Sequence, residues 1–213
     1  MVIEEIKKIL ISKGYEFIDG MNPYQLNIIG IRNDDSEANS FDDNIVCIYR
    51  DNQNHWCWHR WRATTDPGLY WLNKPLNVEG AAILAEGQYK NCYRLGMHRQ
   101  KYLALVQSGP VKVIRDYNRD SKLDFNSDKI QEGLFGINIH KASNEGVSSK
   151  VDKWSAGCQV FASSFDFTDF IVLCKKHREI YGNSFSYTLI NTKDFEADPE
   201  PRGIEKMERK AAA

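Results

Sequence analysis

The chain lacks the features that mark several protein classes. Its 213 residues hold no apolar run long enough for a helix to cross a bilayer, so no membrane span is expected. Its five cysteines (Cys47, Cys57, Cys92, Cys158, Cys174) are odd in number and irregularly spaced. With no CxxC pair and no Cys/His cluster at zinc spacing, they predict neither a disulfide framework nor a zinc site, and they read as separate thiols that need not be oxidised. An excess of one charge is missing too: 28 Lys and Arg face 29 Asp and Glu, and the basic residues are scattered. No electrostatic footprint for nucleic acid results. The first seventeen residues have neither the continuous apolar core nor the small-residue cleavage site of a signal peptide. The expected setting is therefore the cytosol, or transport by another route such as a virus particle or lysis, or a leader replaced by the initial Met. Nothing in the composition calls for a cofactor or metal, because a chain of this length can bury an adequate core.

What is present is mostly strand signal. The segments 26–33, 44–51, 55–64, 70–76, 81–89, 102–117 and 133–140 are rich in Ile, Val, Tyr and Trp and are punctuated by Gly, Pro, Asn and Asp. Many short strands at even spacing predict a sandwich or barrel rather than an alternating βαβ fold. The opening segment reads as an amphipathic helix with Val2, Ile6, Ile9 and Leu10 near one face. A second helix is predicted over 164–181, capped by Ser163 or Ser164 and ended by Gly182, with a last strand at 185–192. The fold class is thus α+β, mainly β, with an N-terminal helix and a helix after Cys158. Residues 1–40 are assigned to a small helix and hairpin appendage and 41–195 to the main domain. Residues 196–213 form a charged tail whose final Ala-Ala-Ala resembles a cloning remnant.

The chemistry concentrates in "GINIHKASNEGVSSKVDKWSAGCQVF", residues 136–161. Taken singly, Cys158 reads as a small buried hydrophobe and His140 as a strand-end histidine bonded to a nearby carbonyl. Together they say more. A thiol with a pKa near 8.5 is a poor nucleophile at neutral pH without a neighbouring base, and imidazole is the usual partner. Ser155, Ala156 and Gly157 are small, which allows a sharp turn and amides of Gly157 and Cys158 aimed at one point, as an oxyanion hole requires. Seventeen residues separate His140 from Cys158, enough for a strand-loop-strand return.

His140, Ser155, Gly157 and Cys158 resemble the active-site signature of the L,D-transpeptidase (YkuD-type) family, in which a histidine ends a strand and a Ser/Thr-His-Gly-Cys turn follows. "TTDPGLYWL" (64–72) resembles the family's Thr-Pro-x-Gly segment, and "GLFGINIH" its Gly-Ile-His approach. The resemblance spans 64–161 loosely and the short motif closely. It implies an L,D-transpeptidase-like β-sandwich or barrel and a cysteine acyltransferase, carboxypeptidase or endopeptidase acting on peptidoglycan stem peptides. In that reading Cys158 is the nucleophile, His140 the general base, and Ser155 and Gly157 shape the turn and oxyanion hole. Two positions depart from the pattern: Ala156 stands where the family carries its second histidine, and Val160 where it carries Arg or Asn. His98, on a turn beside Arg99, is a substitute second imidazole or a plain loop residue. Asn138 shares the face of His140 on an extended strand and either supports that ring or is merely polar.

Three alternatives stand beside this reading. A protein of the same fold that binds cell wall or belongs to a virion, with catalysis impaired, is suggested by Ala156 and Val160. A papain-like or NlpC/P60-like peptidase needs the cysteine before the histidine, and the only histidine after Cys158, His177, lies among Lys175, Lys176 and Arg178 on what reads as a solvated helix face. Caspase-like order fits, but the Gln-Ala-Cys signature is absent. Elsewhere, Trp56, Trp58, Trp61, Tyr70 and Trp71 suggest a sugar-stacking platform or a Trp-rich core. Asp116, Asn118, Asp120 and Asp124 alternate like calcium-loop ligands, with Ser121 at the glycine position and Ser127 at the twelfth, but a polar turn after a strand explains them more simply.

Overall fold

The computed structural model describes residues 2–126 and 128–196; the predicted charged tail lies outside the described residues except for Glu196. Eight strands close into a barrel: β1 (Asn27–Arg32), β11 (Phe185–Asn191), β5 (Gly87–His98), β6 (Tyr102–Gln107), β9 (Ile139–Lys141), β10 (Gln159–Phe161), β3 (Trp56–Thr64) and β2 (Asp43–Arg50), in that spatial order. The β1/β11 and β9/β10 pairs are parallel and the others antiparallel. A second sheet of three strands is ordered β4 (Ala81–Leu84), β7 (Val111–Asp116), β8 (Ile130–Gly133).

Period-two patterning decides the faces. Ile45, Cys47 and Tyr49 of β2 join Trp61, Tyr93, Leu105, Ile139, Phe161, Tyr187 and Leu189 in the main core. Val46 and Ile48 turn the other way and meet Ile3, Ile6, Ile9 and Leu10 of α1 (Val2–Ser12), together with Ile29, Ile31 and Ile190. Strand β1 is buried on both faces, which explains its unbroken apolar run. Gly30 is required there: a Cβ would lie 1.9 Å from the Tyr187 hydroxyl. Helix α3 (Ser164–Tyr181) adds Phe167, Phe170, Leu173 and Cys174 to the core. Ser163 caps it through Asp166 N–H, and Gly182 follows at φ 88°, as the sequence indicates.

Four expectations change. No boundary falls at residue 40, since β1 sits in the barrel between β11 and β2. The segment 70–76 is not a strand but carries α2 (Leu69–Asn73), where Leu72 is fully buried. Residues 134–138 interrupt the predicted strand 133–140, because Gln107 satisfies their backbone from the side. Its Oε1 accepts from Phe135 N–H (3.1 Å) and Ile137 N–H (2.9 Å), and its Nε2 donates to the Gly133 carbonyl (2.8 Å). His177 is buried rather than solvated, with Nδ1 3.1 Å from the Tyr24 carbonyl. Each of the five cysteines is free. No helix among the described residues is long and apolar enough to cross a membrane.

Candidate active site

Parallel pairing of β9 with β10 puts Gln159 opposite Ile139 and Val160 opposite His140. One step back along both chains, Cys158 faces Asn138, whose N–H points at the sulfur from 3.4 Å. Side chains two apart share a face, so Cys158 lies on the strand face of Asn138 and His140, and its thiol donates to the Gly136 carbonyl (3.4 Å).

The turn that carries Cys158 is built from outside inward. Buried Arg32 donates to Thr65 Oγ1 (3.0 Å) and to the Thr65 carbonyl (3.1 Å), while Asp43 accepts from Thr65 Oγ1 (2.9 Å). That carbonyl also accepts from Gln159 Nε2 (3.2 Å), and Tyr187 Oη donates to Gln159 Oε1 (2.8 Å). Gly68 N–H donates to the Ser155 carbonyl (2.9 Å). The Thr65 to Gly68 segment is therefore the buttress of the cysteine turn. Gly157 adopts φ +120°, and a Cβ there would lie 2.2 Å from the Ala82 carbonyl, so only glycine lets the turn seat against β4.

Ser155 closes the turn on itself: its Oγ accepts from Gly157 N–H (3.1 Å) and donates to the Cys158 carbonyl (2.8 Å). This corrects the expectation that the Gly157 amide serves an oxyanion hole, because that donor is already used. The Cys158 N–H makes no hydrogen bond among the described residues.

The two imidazoles have opposite tautomers. A carbonyl can only accept, so the 2.8 Å contact between His140 Nδ1 and the Lys141 carbonyl puts the proton on Nδ1 and the free lone pair on Nε2. Gln107 N–H donates to Asn138 Oδ1 (2.9 Å), which turns Asn138 Nδ2 toward His98 Nδ1 at 3.2 Å. His98 therefore accepts at Nδ1. Its ring stacks on His140 with centroids 4.3 Å apart. Asn138 thus holds His98, not His140.

Burial, then the neighbouring His98 and Arg99, push His140 down to about 3 against the opposing Lys141 carbonyl. His98 is lowered too, by burial and then Arg99. Burial raises the Cys158 thiol, with Asn138 N–H and Arg99 opposing it. Burial thus favours a neutral thiol at Cys158 and a neutral imidazole at His140.

His98 and His140 open onto a cavity of about 110 Å³ whose other walls include Arg99, Lys101, Tyr102, Lys141, Lys153 and Trp154. Four of these residues are basic and no lining residue is acidic. Val160 is sealed in an apolar cluster with Phe41, Ala142, Val151 and Ala162, against which Cys158 packs. Ala156 lines a separate cavity of about 250 Å³ with Trp71, Arg115 and Phe135. Ala156 and Val160 thus present apolar surface, and positive charge gathers around His98.

Residues singled out by the sequence divide cleanly. Cys158, His140, Ser155, Gly157, His98 and Asn138 are brought together. Trp61 is core and Trp58 is exposed on β3. Gln107, Gln159, Arg32 and the Lys141 carbonyl carry no motif that would have announced them. Among the described residues no three His, Cys, Asp or Glu side chains are arranged to hold a metal ion. No family model, no curated protein and no solved structure matches the chain.

Proposed function

We propose that the chain is a cysteine acyltransferase or peptidase of L,D-transpeptidase type that acts on peptidoglycan stem peptides. One observation carries this reading: a half-buried Cys158 shares a strand face with His140, whose Nδ1–H is pinned and whose Nε2 lone pair is free. In the reaction the Cys158 proton passes to His140 Nε2 and the sulfur attacks the substrate amide carbon. The C–N bond breaks, the imidazolium proton goes to the leaving amine, and a thioester remains. An amine or water then takes the acyl group and restores the thiol. Cys158 N–H is the donor available to the tetrahedral oxygen. The basic wall around His98 suits a carboxylate of the stem peptide, a task left open by Ala156 and Val160.

The experiment is incubation with purified muropeptides, read by mass spectrometry. An acyl adduct on Cys158 and a changed peptide product, both lost in Cys158→Ala and with product lost in His140→Ala, support the proposal. A second reading is favoured by the neutral thiol and imidazole: a wall-binding or virion protein that keeps the fold without turnover. Binding to sacculi with no adduct and no peptide change supports that reading and rejects the enzyme.

A further inference from the structure

Strand β7 carries a cation where its pattern asks for an apolar residue. Val111 and Val113 point into the main core, and period two puts Arg115 on the same face. Arg115 pairs across the small sheet with Ala82 of β4 and is only 5 % exposed. Its guanidinium is held in a fixed pose. The Nε donates to Gln131 Oε1 (2.8 Å), Nη1 donates to the Gly80 carbonyl (3.3 Å), and Cζ lies over the Phe135 ring, 5.1 Å from the centroid.

None of these partners carries a charge. Among the described residues Arg115 makes no ion pair, and its Nη2 makes no hydrogen bond. Glu79, the acid whose charge favours the guanidinium against burial, is exposed and gives its carboxylate to Gln131 Nε2 instead. A buried cation with no counter-charge weighs against the folded state, and an anion brought by a ligand would relieve it. Room for one lies beside it. Arg115 lines the cavity of about 250 Å³ that also includes Trp71, Ala82, Phe135 and Ala156. No lining residue is acidic, Arg115 is the sole charged one, and the small side chains of Ala82 and Ala156 keep the space open. This cavity shares no lining residue with the one at His98, yet the segment leading to Cys158 borders both: Trp154 lines the first and Ala156 the second. Two residues of chain span at most about 7 Å, so Ala156 brings the Arg115 cavity that close to Cys158.

We propose that Arg115 binds a ligand carboxylate in this cavity through its two Nη groups. A planar guanidinium matches the two oxygens of a carboxylate, and the Phe135 ring beneath it holds that plane. The identity of the ligand rests on the reading of Cys158 as an acyl acceptor: the carboxylate is then one of the stem peptide's, bound apart from the basic wall at His98.

The test is calorimetric titration of the full chain as Cys158→Ala, which reads binding without turnover. The probes are a stem tetrapeptide with its carboxylates free and the same peptide amidated at one carboxylate at a time. Amidation at one position weakens binding about tenfold or more, the loss of a charge-assisted hydrogen-bonded pair. In Arg115→Gln the free and amidated peptides bind alike, and Arg115→Lys, which keeps the charge without the fork, loses most of the difference. Ala156→Leu fills the cavity from its wall and abolishes the same discrimination with Arg115 intact, so the comparison survives if Arg115→Gln does not fold. No binding of the free peptide up to about 10 mM, no effect of any amidation, or an effect that persists in these variants overturns the site. Failure of the enzyme reading looks different: the free peptide binds through Arg115, but the protein with Cys158 in place gives no acyl adduct with muropeptides.

Discussion

Burial favours the uncharged forms of both Cys158 and His140, and this fixes how the free protein responds to pH. Imidazole lowered to about 3 carries no proton above about pH 4, so it cannot hold a thiolate as an ion pair. The thiol, raised by burial, loses its proton only above the ordinary range. Alkylation of Cys158 by iodoacetamide is therefore expected to climb about tenfold per pH unit from 7 to 9 with no neutral plateau. His140→Ala leaves that profile unchanged while abolishing any turnover. A plateau near pH 6 that vanishes in His140→Ala would show a thiolate-imidazolium pair instead. At Gly157, a Cβ 2.2 Å from the Ala82 carbonyl and φ of +120° both forbid a side chain. Gly157→Ala is expected to lower stability by about 2–4 kcal/mol in urea unfolding and to expose Cys158 to faster labelling. Gly157 and Ser155 were legible because a tight turn before a cysteine restricts residue type locally. His98 was only half legible, since its role depends on a stacking partner forty-odd positions away in the chain.

Among the elements, the irregular segment 134–138 was misread as strand, and α2 likewise. Aromatic and β-branched residues favour strands on average, but tertiary partners override that preference. For α2 the partners are the Gly68 N–H bond to the Ser155 carbonyl and Trp71 Nε1–H donating to the Lys153 carbonyl at 3.1 Å. For 134–138 the partner is Gln107, which satisfies backbone groups 28 and 30 residues along the chain and leaves no local signature. Gln107→Leu keeps the volume but strands the N–H groups of Phe135 and Ile137. At about 1–3 kcal/mol for each unpaired buried donor, the variant should lose about 2–5 kcal/mol in denaturant unfolding. It should also free Asn138 and His98 to reorient, seen as altered imidazole resonances. A loss below about 1 kcal/mol would show that water replaces the side chain without strain. Strands β1, β2, β3 and β11 match the segments read as strand, because alternation and continuous burial write directly into sequence, whereas 81–89 and 102–117 each divide between the barrel and the small sheet and most of β5 carries no strand reading.

At the scale of the whole molecule, the barrel is cinched by one buried charge cluster. Arg32 of β1 lies 2.9 Å from Asp66 just beyond β3, and Asp43 of β2 accepts from Thr65 between them. Two carboxylates share one guanidinium, so burial and their mutual repulsion favour keeping a proton on the pair. Asp66 is pushed up to about 8, by burial first, against the pull of Arg32. The native state then holds a proton that the unfolded chain, with aspartate near 3.9, has already lost. A folded pKa above the unfolded one contributes stability that is complete below about pH 4 and lost as pH rises through about 8. Tm is therefore expected to fall between those values, and Asp66→Asn should flatten the slope by removing the titrating group. Arg32→Leu leaves both acids without a cation and should cost about 3–5 kcal/mol near pH 8, with a smaller loss near pH 5 where the pair can protonate. Because the Thr65 carbonyl gripped by Arg32 is the same oxygen that Gln159 holds next to Cys158 in the chain, loosening the cluster should also loosen the turn that carries Cys158. Cys158 labelling should then rise in step with the fall in Tm across the Arg32 and Asp66 variants; labelling that stays constant while Tm falls would show that the turn is held by Ser155 and Gly68 alone.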